Sequence, residues 1–201
     1  MSSAAGNPAG QVAREVRRRR QQRNWTLDAA AVRLGVSRRL LAQIEAGEAN
    51  PSLSTLLSIA EGFDTSLAEL VAGADKPSIT VQADNAAAPL LWTGTFGGEG
   101  RLLVGSVPLE LWEWSLQPGD ERTSGPHRPE SREILLVTQG IVTLRVGAAE
   151  PVALRRGQSA LFRADEPHAY RNDSNKPARF VLAVHEPSVH GVDVLESRGQ
   201  R

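Results

Sequence analysis

The hydrophobic pattern of the chain changes period once, at Gly73, and that change restricts the fold more than any other feature. From Gln11 to about Val71 the apolar residues recur at helical spacing, with no strand-like alternation. Helices are predicted over Gln11–Arg23, Leu27–Leu34, Arg38–Ala46, Leu53–Glu61 and Leu67–Val71. Thr26, Ser37, Ser52 and Ser66 stand where a side-chain oxygen would take up a free N–H of the first turn. Gly35 and Gly47 stand where a helix closes through a left-handed residue. Val12, Val16, Leu27, Ala31, Leu34, Val36, Leu41, Ile44, Leu53, Leu56, Ile59, Ala60, Phe63 and Leu67 are the expected core of this half. After Gly73, residues 74–89 are rich in Ala, Asp, Asn and Pro and read as a linker, with one short strand expected at Ser78–Val81.

From Leu90 to His185 short β-rich runs alternate with turn signals about every 8–12 residues. The expected strands are Leu90–Thr95, Leu102–Ser106, Glu110–Leu116, Ile134–Thr138, Ile141–Val146, Val152–Leu154, Ser159–Phe162, His168–Asn172 and Arg179–His185. Such spacing without helices between the strands predicts a sandwich or barrel. The expectation is therefore a two-domain chain, all-α then all-β. Residues 1–9 are expected to be disordered, 10–73 helical, 74–89 a linker, 90–187 the β domain and 188–201 a loose tail. At 201 residues there is room for two such small cores.

Formal net charge is zero, but the charge is unevenly placed: nine arginines face three acids between Met1 and Gly47. A neutral chain with one basic end predicts an anionic partner met by that end alone. There is no cysteine, which excludes disulfides, thiolate zinc sites and cysteine nucleophiles. No apolar run reaches the roughly 18 residues that span a bilayer, and MSSAAGNPAG lacks the apolar stretch of a secretory signal. A cytoplasmic protein is expected.

Leu27–Leu34, the turn Gly35-Val36-Ser37 and Arg38–Ala46 form two helices across a tight bend. Ala31 permits close approach, and Val36 and Ile44 fill the space between them. The segment WTLDAAAVRLGVSRRLLAQIEAGEANPSLSTLLSIAEGFDTSLAEL, with its L-G-V-S turn, I-E-x-G close, N-P-S-L entry and L-x-x-I-A, resembles the phage-repressor-type (XRE) helix-turn-helix domain over roughly residues 10–72. That resemblance implies a five-helix DNA-binding domain whose recognition helix, Arg38–Glu45, enters the major groove. Arg38 and Arg39 are then the candidates for guanine, and Gln43 for adenine. Thr26, Ser37 and the backbone around Asn50 would meet phosphates, and Arg17–Arg20 with Arg23 would add salt-dependent affinity. Leu40 occupies a position often polar in that family.

The β half contains G119-DERTSGP-H127-RPESR-E133-ILLVTQ-G140 and G157-QSALFRADEP-H168-AYR-N172. These resemble the two motifs of the cupin barrel, a double-stranded β-helix or jelly roll. The resemblance implies a metal set of His127, Glu133 and His168, with Pro129 standing where the first motif has a second histidine. Fe, Mn, Ni or Zn would suit such nitrogen and oxygen ligands, and Glu130 is a candidate substitute. The alternative is a hydrogen-bonded polar cluster in a pocket for a small effector, with Arg122, Arg132 and Tyr170 as groups that could meet an anion. Trp112 and Trp114 alternate onto one face with Leu116, as core or as an interface, with ligand stacking the alternative.

The function expected from these features is a sequence-specific transcriptional regulator, dimeric and not an enzyme, whose barrel senses a small molecule. Its partners would be double-stranded operator DNA, the effector and a second copy of itself. A mononuclear non-haem iron cupin oxygenase or epoxidase with an attached helix-turn-helix is the alternative. An antitoxin-like or scaffolding protein would instead leave the barrel filled by apolar side chains.

Overall fold

The computed structural model describes residues 8–72 and 79–187. The expected tail 188–201, most of the segment 1–9 and residues 73–78 of the linker lie outside the described residues. Pro8 and Ala9, expected to be disordered, already belong to the first helix. The chain divides into two compact units, one running to Trp92 and including Arg101–Ser106, the other comprising Thr93–Gly100 and the residues from Val107 on.

The first unit holds five helices: α1 (Pro8–Gln22), α2 (Leu27–Arg33), α3 (Arg38–Ala46), α4 (Leu53–Gly62) and α5 (Leu67–Ala72). Their boundaries follow local chemistry. Thr26 Oγ1 accepts the Ala29 N–H at 3.2 Å, Ser37 Oγ that of Leu40 at 3.1 Å, Ser52 Oγ that of Thr55 at 3.2 Å and Ser66 Oγ that of Glu69 at 3.1 Å. Gly47 takes φ 73°, which lets Glu48 N–H reach back to the Gln43 carbonyl at 2.9 Å. Gly35 takes φ 65° at the bend between α2 and α3, a conformation that a side chain would strain. Val16, Leu34, Leu41, Ile44, Ile59, Phe63 and Leu67 are all buried, and Leu70, outside the expected set, joins them.

Ile79–Val81, the described part of the strand expected at Ser78–Val81, forms no strand, and Ile79 and Val81 are exposed. β propensity alone cannot hold a strand that has no ladder partner. A short 3₁₀ turn at Asn85–Ala87 follows, capped by Asp84, and Arg101 donates to the Ala86 and Ala88 carbonyls.

Ten strands follow: β1 (Leu90–Thr93), β2 (Glu99–Ser106), β3 (Leu109–Leu116), β4 (Glu121–Ser124), β5 (Arg132–Gln139), β6 (Ile141–Val146), β7 (Val152–Arg155), β8 (Ser159–Arg163), β9 (His168–Arg171) and β10 (Ala178–His185). In the second unit, β3, β10, β5 and β8 lie side by side in one antiparallel sheet, and β4, β9, β6 and β7 in another. Strand β4 was not expected, because Glu-Arg-Thr-Ser carries no apolar alternation. Trp112, Trp114 and Leu116 point into the core, where Trp112 stacks on Trp114 at 5.5 Å and Trp114 on Phe180 at 6.1 Å.

The two ends of the motif region are knitted together by buried polar groups. Gly119 N–H donates to the Asn172 carbonyl at 2.9 Å, and Asn172 N–H to that of Asp120 at 3.0 Å. The buried Asp120 carboxylate accepts from the N–H groups of Phe96, Gly98 and Gln117 at 2.8–2.9 Å. Asn172 Nδ2 satisfies the Leu116 and Lys176 carbonyls. Both side chains are thus fold determinants, which explains the asparagine at the end of the second motif.

Candidate DNA interface and candidate metal centre

Helix α3 buries Leu41 and Ile44 and leaves Arg38 and Arg39 exposed at its N-terminal end, with Leu40 and Gln43 half-buried on its flanks. Thr26, Ser37 and Asn50 are also exposed. Arg38 Nε lies 3.0 Å from Asp28 Oδ1 across the bend. That contact uses the inner nitrogen and leaves the two terminal nitrogens, the pair that a guanine edge would take.

The arginine run of α1 is used differently from the expectation. Glu15, buried, receives Arg18 at 2.5 and 2.8 Å and Arg19 at 2.6 Å, and Arg19 continues to Glu69 at 3.1 Å. Arg20 holds Glu45 with both ends of its fork, at 2.6 and 2.8 Å, and also reaches the Trp25 carbonyl at 3.0 Å. Arg23 donates to the Phe63 carbonyl at 2.7 Å and lies over the Trp25 and Phe63 rings. Four of the five arginines assigned to salt-dependent affinity are therefore engaged within the domain, Arg19, Arg20 and Arg23 as half-buried staples and Arg18, more exposed, through Glu15. Arg17 remains exposed. The Arg20–Glu45 pair anchors the end of α3 to α1 and so fixes the angle at which α3 is presented.

Burial raises the Glu15 carboxyl's pKa, but hydrogen bonds and attraction from Arg18 and Arg19 outweigh it, leaving the value below the ordinary one. A depressed folded value stabilises the fold above the unfolded pKa and loses that contribution as pH falls through the folded value. The Glu15→Gln variant is therefore expected to lose about 1–3 kcal/mol at pH 7, since the buried carboxylate that Arg18 and Arg19 share loses its charge. Its deficit against wild type should shrink below pH 4, as read by thermal melts across pH. A deficit independent of pH would contradict the electrostatic account.

In the second unit His127, Glu133 and His168 come together, with ligand atoms all within 4.8 Å of one another. His127 Nδ1 lies 3.7 Å and His168 Nε2 3.5 Å from Glu133 Oε1. Their other atoms are tied down. Ser124 Oγ lies 3.2 Å from His127 Nε2, His168 Nδ1 donates to the Glu166 carbonyl at 2.8 Å, and the Tyr170 hydroxyl donates to Glu133 Oε2. Glu133 and His168 are buried, and His127 is nearly so.

These residues fit a divalent cation. His127 Nδ1 and His168 Nε2 are buried without a hydrogen-bond partner, and both face the one carboxylate oxygen that is not engaged by Tyr170. Ligands about 2.1 Å from a metal are separated by about 3 Å, so the imidazole nitrogens, now 3.7 and 3.5 Å from Oε1, would draw in by roughly half an ångström or more. The Glu166 carbonyl fixes the His168 tautomer with Nε2 free, and Ser124 holds the outer nitrogen of His127, as outer hydrogen bonds do around metal-bound imidazoles. Burial pushes the His127 pKa down despite Glu133. Burial also opposes charge on His168, but the adjacent Glu133 carboxylate prevails and raises the value. Burial, then Glu133, holds the Tyr170 hydroxyl well above its ordinary value, so it remains a donor.

Two sequence candidates do not join this cluster. Glu130 is exposed, its backbone N–H bound to Asp165, because it takes φ 67° in the turn ahead of β5. Arg132 points outward, 3.9 Å from Asp165, since strand alternation turns it away whenever Glu133 points in. Arg122 and Tyr170 sit opposite each other on β4 and β9. Ser124 and the Glu166 carbonyl were not anticipated; two residues from Arg122 and from His168 respectively, they carried only a positional signal.

Residues 16–70 match the Helix-turn-helix family HTH_3, and residues 112–185 match the Cupin domain family Cupin_2. The HTH-type transcriptional regulator SutR of Escherichia coli (strain K12) is 29% identical over 168 residues, 84% of this chain and 90% of SutR. An HTH_3 family transcriptional regulator from Vibrio cholerae superposes with a TM-score of 0.69 at 27% identity, over 90% of this chain and 97% of that one. The hydroxypropylphosphonic acid epoxidase from S. wedmorenis, in complex with fosfomycin, matches at 22% identity with a TM-score of 0.45, over 89% of this chain and 99% of that one. That likeness is too distant to carry its chemistry here. The chain is an XRE-family transcriptional regulator, with a helix-turn-helix DNA-binding domain followed by a cupin domain. Among the described residues no helix is long and apolar enough to cross a membrane.

Proposed function

We propose that this regulator acts in the cytoplasm as a homodimer that reads two operator half-sites and is biased by a small molecule in the cupin pocket. The observation that carries the DNA reading is the presentation of α3: Ser37 caps it, Arg20 and Glu45 anchor its far end, and Arg38 and Arg39 project from its exposed start. Two such helices related by a two-fold axis would enter successive major grooves about 34 Å apart. Arg38, Arg39 and Gln43 would read bases, with Thr26, Ser37 and the Asn50 region on phosphates.

In this reading the pocket senses and does not catalyse. His127, Glu133 and His168 would hold the cation, of which Fe, Mn, Ni and Zn are the candidates. The cation would supply an electron-pair acceptor for an effector oxygen. Tyr170 orients Glu133, Ser124 orients His127 and the Glu166 carbonyl orients His168. An effector alters DNA binding only to the extent that it binds the two conformational states unequally, and residues 74–89 are the segment through which that difference would pass. Turnover of an added substrate by iron-loaded protein would contradict this reading in favour of an iron oxygenase.

The dimer reading rests on the outward face of β5 and β8. Ile134 and Leu161 are register partners there, and with Leu136 they leave a row of exposed aliphatic side chains. The variant Ile134→Glu with Leu161→Glu is expected to be monomeric by light scattering, folded by circular dichroism, and at least tenfold weaker on a two-half-site fragment selected from random DNA by the wild-type chain. A dimer of unchanged affinity would remove this face from the account.

A further inference from the structure

Arg122 is the one element of the pocket that the cation reading leaves without a task. On β4, Arg122 and Ser124 share a face, and the register sets them against Tyr170 and His168 of β9. Ser124 reaches His127 from that face and Tyr170 reaches Glu133, so the face is the one lined by the cluster. Arg122 is half-buried there and donates to the Thr123 carbonyl. Among the described residues no carboxylate lies within 4.0 Å of it, whereas Arg18, Arg19, Arg20 and Arg171 each have one. Burial lowers its pKa, against the pull of Tyr170 and Glu133.

The charges decide what such a site would accept. Glu133 is its carboxylate; a divalent cation would overcompensate it, and Arg122 adds a further positive charge. Phe162 packs beside the cluster, 5.6 Å from His168 and 6.3 Å from Tyr170. A partly buried site with surplus positive charge and a planar guanidinium that has no carboxylate partner selects an anion with two oxygens in one plane.

We propose that the effector is a small organic acid whose carboxylate lies between the Arg122 guanidinium and the cation held by His127, Glu133 and His168. This deepens the sensor reading above and rests on it. Arg122 would recognise the acid, and the open side of the cation would take its second oxygen. Neutral molecules of similar shape would bind more weakly, because they would leave the half-buried guanidinium without a counter-charge.

The test is calorimetric, on the full chain. Mn²⁺ is titrated first, then oxalate as the carboxylate probe, with oxamide and inorganic phosphate as the neutral and phosphate arms. Wild type is compared with Arg122→Gln and Arg122→Lys. Mn²⁺ affinity is expected to stay within about threefold across the three proteins. Oxalate affinity of the Mn²⁺-loaded protein should fall about 10- to 100-fold in Arg122→Gln and less in Arg122→Lys, as for loss of a charge-assisted hydrogen bond. Oxamide should bind none of them measurably. Equal oxalate binding by wild type and Arg122→Gln would overturn the proposal, and tighter binding of phosphate than of oxalate would overturn its carboxylate assignment. A metal-free arm separates the two claims: failure of the wild type to bind Mn²⁺, with Arg122-dependent oxalate binding retained, would sink the cation reading and support Arg122 as the anion anchor. Absence of both would sink both.

Discussion

Replacing Arg38 and Arg39 together by alanine is expected to abolish sequence-specific DNA binding while leaving both domains folded. Each guanidinium that pairs with a guanine edge contributes about 1–3 kcal/mol of discrimination, so the double variant should lose about 30- to 20,000-fold in operator affinity. The loss in fold stability should be small. Both side chains are exposed, and the Arg38 contact with Asp28 joins two groups that are themselves mostly in water. Weak binding to any DNA should persist at low salt, because phosphate contacts do not depend on the base sequence. Arg17→Ala provides the opposite signature. It should weaken specific and random DNA by the same factor and reduce the slope of log affinity against log salt by about one. Fluorescence anisotropy on operator and scrambled fragments reads both. An Arg38→Ala/Arg39→Ala protein that still prefers the operator would move base reading to another element.

The second large effect is expected at Glu133. Its Oε1 faces both histidines and its Oε2 receives Tyr170, so one buried carboxylate organises the whole centre. In Glu133→Gln the Tyr170 bond and the shape survive, but the charge does not. Cation affinity should fall at least about 100-fold, more than the loss of an outer hydrogen bond usually costs, with little change in melting temperature. In Glu133→Ala the Tyr170 hydroxyl is buried without its acceptor, which costs about 1–3 kcal/mol of stability besides the cation. Neither variant should weaken DNA binding in the absence of cation and effector. Both should lose any response of DNA binding to added cation. Calorimetry with Mn²⁺, paired with melts of the metal-free proteins, separates the two contributions. Unchanged Mn²⁺ affinity in Glu133→Gln would mean that the cluster is a hydrogen-bonded network and not a metal centre.

The helical half was legible in the sequence to within one or two residues at nearly every boundary. The reason is local: Thr26, Ser37, Ser52 and Ser66 each bond an N–H three residues on, so the signal and the structure are the same few atoms. Charge was less legible. The run Arg17–Arg20 looks like a solvated basic face until the fold brings Glu45 to Arg20 and Glu69 to Arg19, contacts 25 and 50 residues apart that no window along the chain reveals. Strand β4 escaped for a related reason. Arg122 and Ser124, on the face of β4 that meets Tyr170 and His168, are polar, so the apolar alternation that marks a strand is absent there. His127, Glu133 and His168 were recognisable from motif spacing, as was the departure at Pro129. The convergence of one free atom from each was not, since it depends on which nitrogen Ser124 and the Glu166 carbonyl engage.

The central claim is that α3 gives this chain a preferred DNA sequence. The most direct measurement is nuclease footprinting of the full chain on genomic fragments recovered with it. The account predicts discrete protected sites with two similar halves about one helical turn apart, lost in the Arg38→Ala/Arg39→Ala protein. Protection spread evenly along the DNA, disappearing with salt and unchanged by that double substitution, would contradict it.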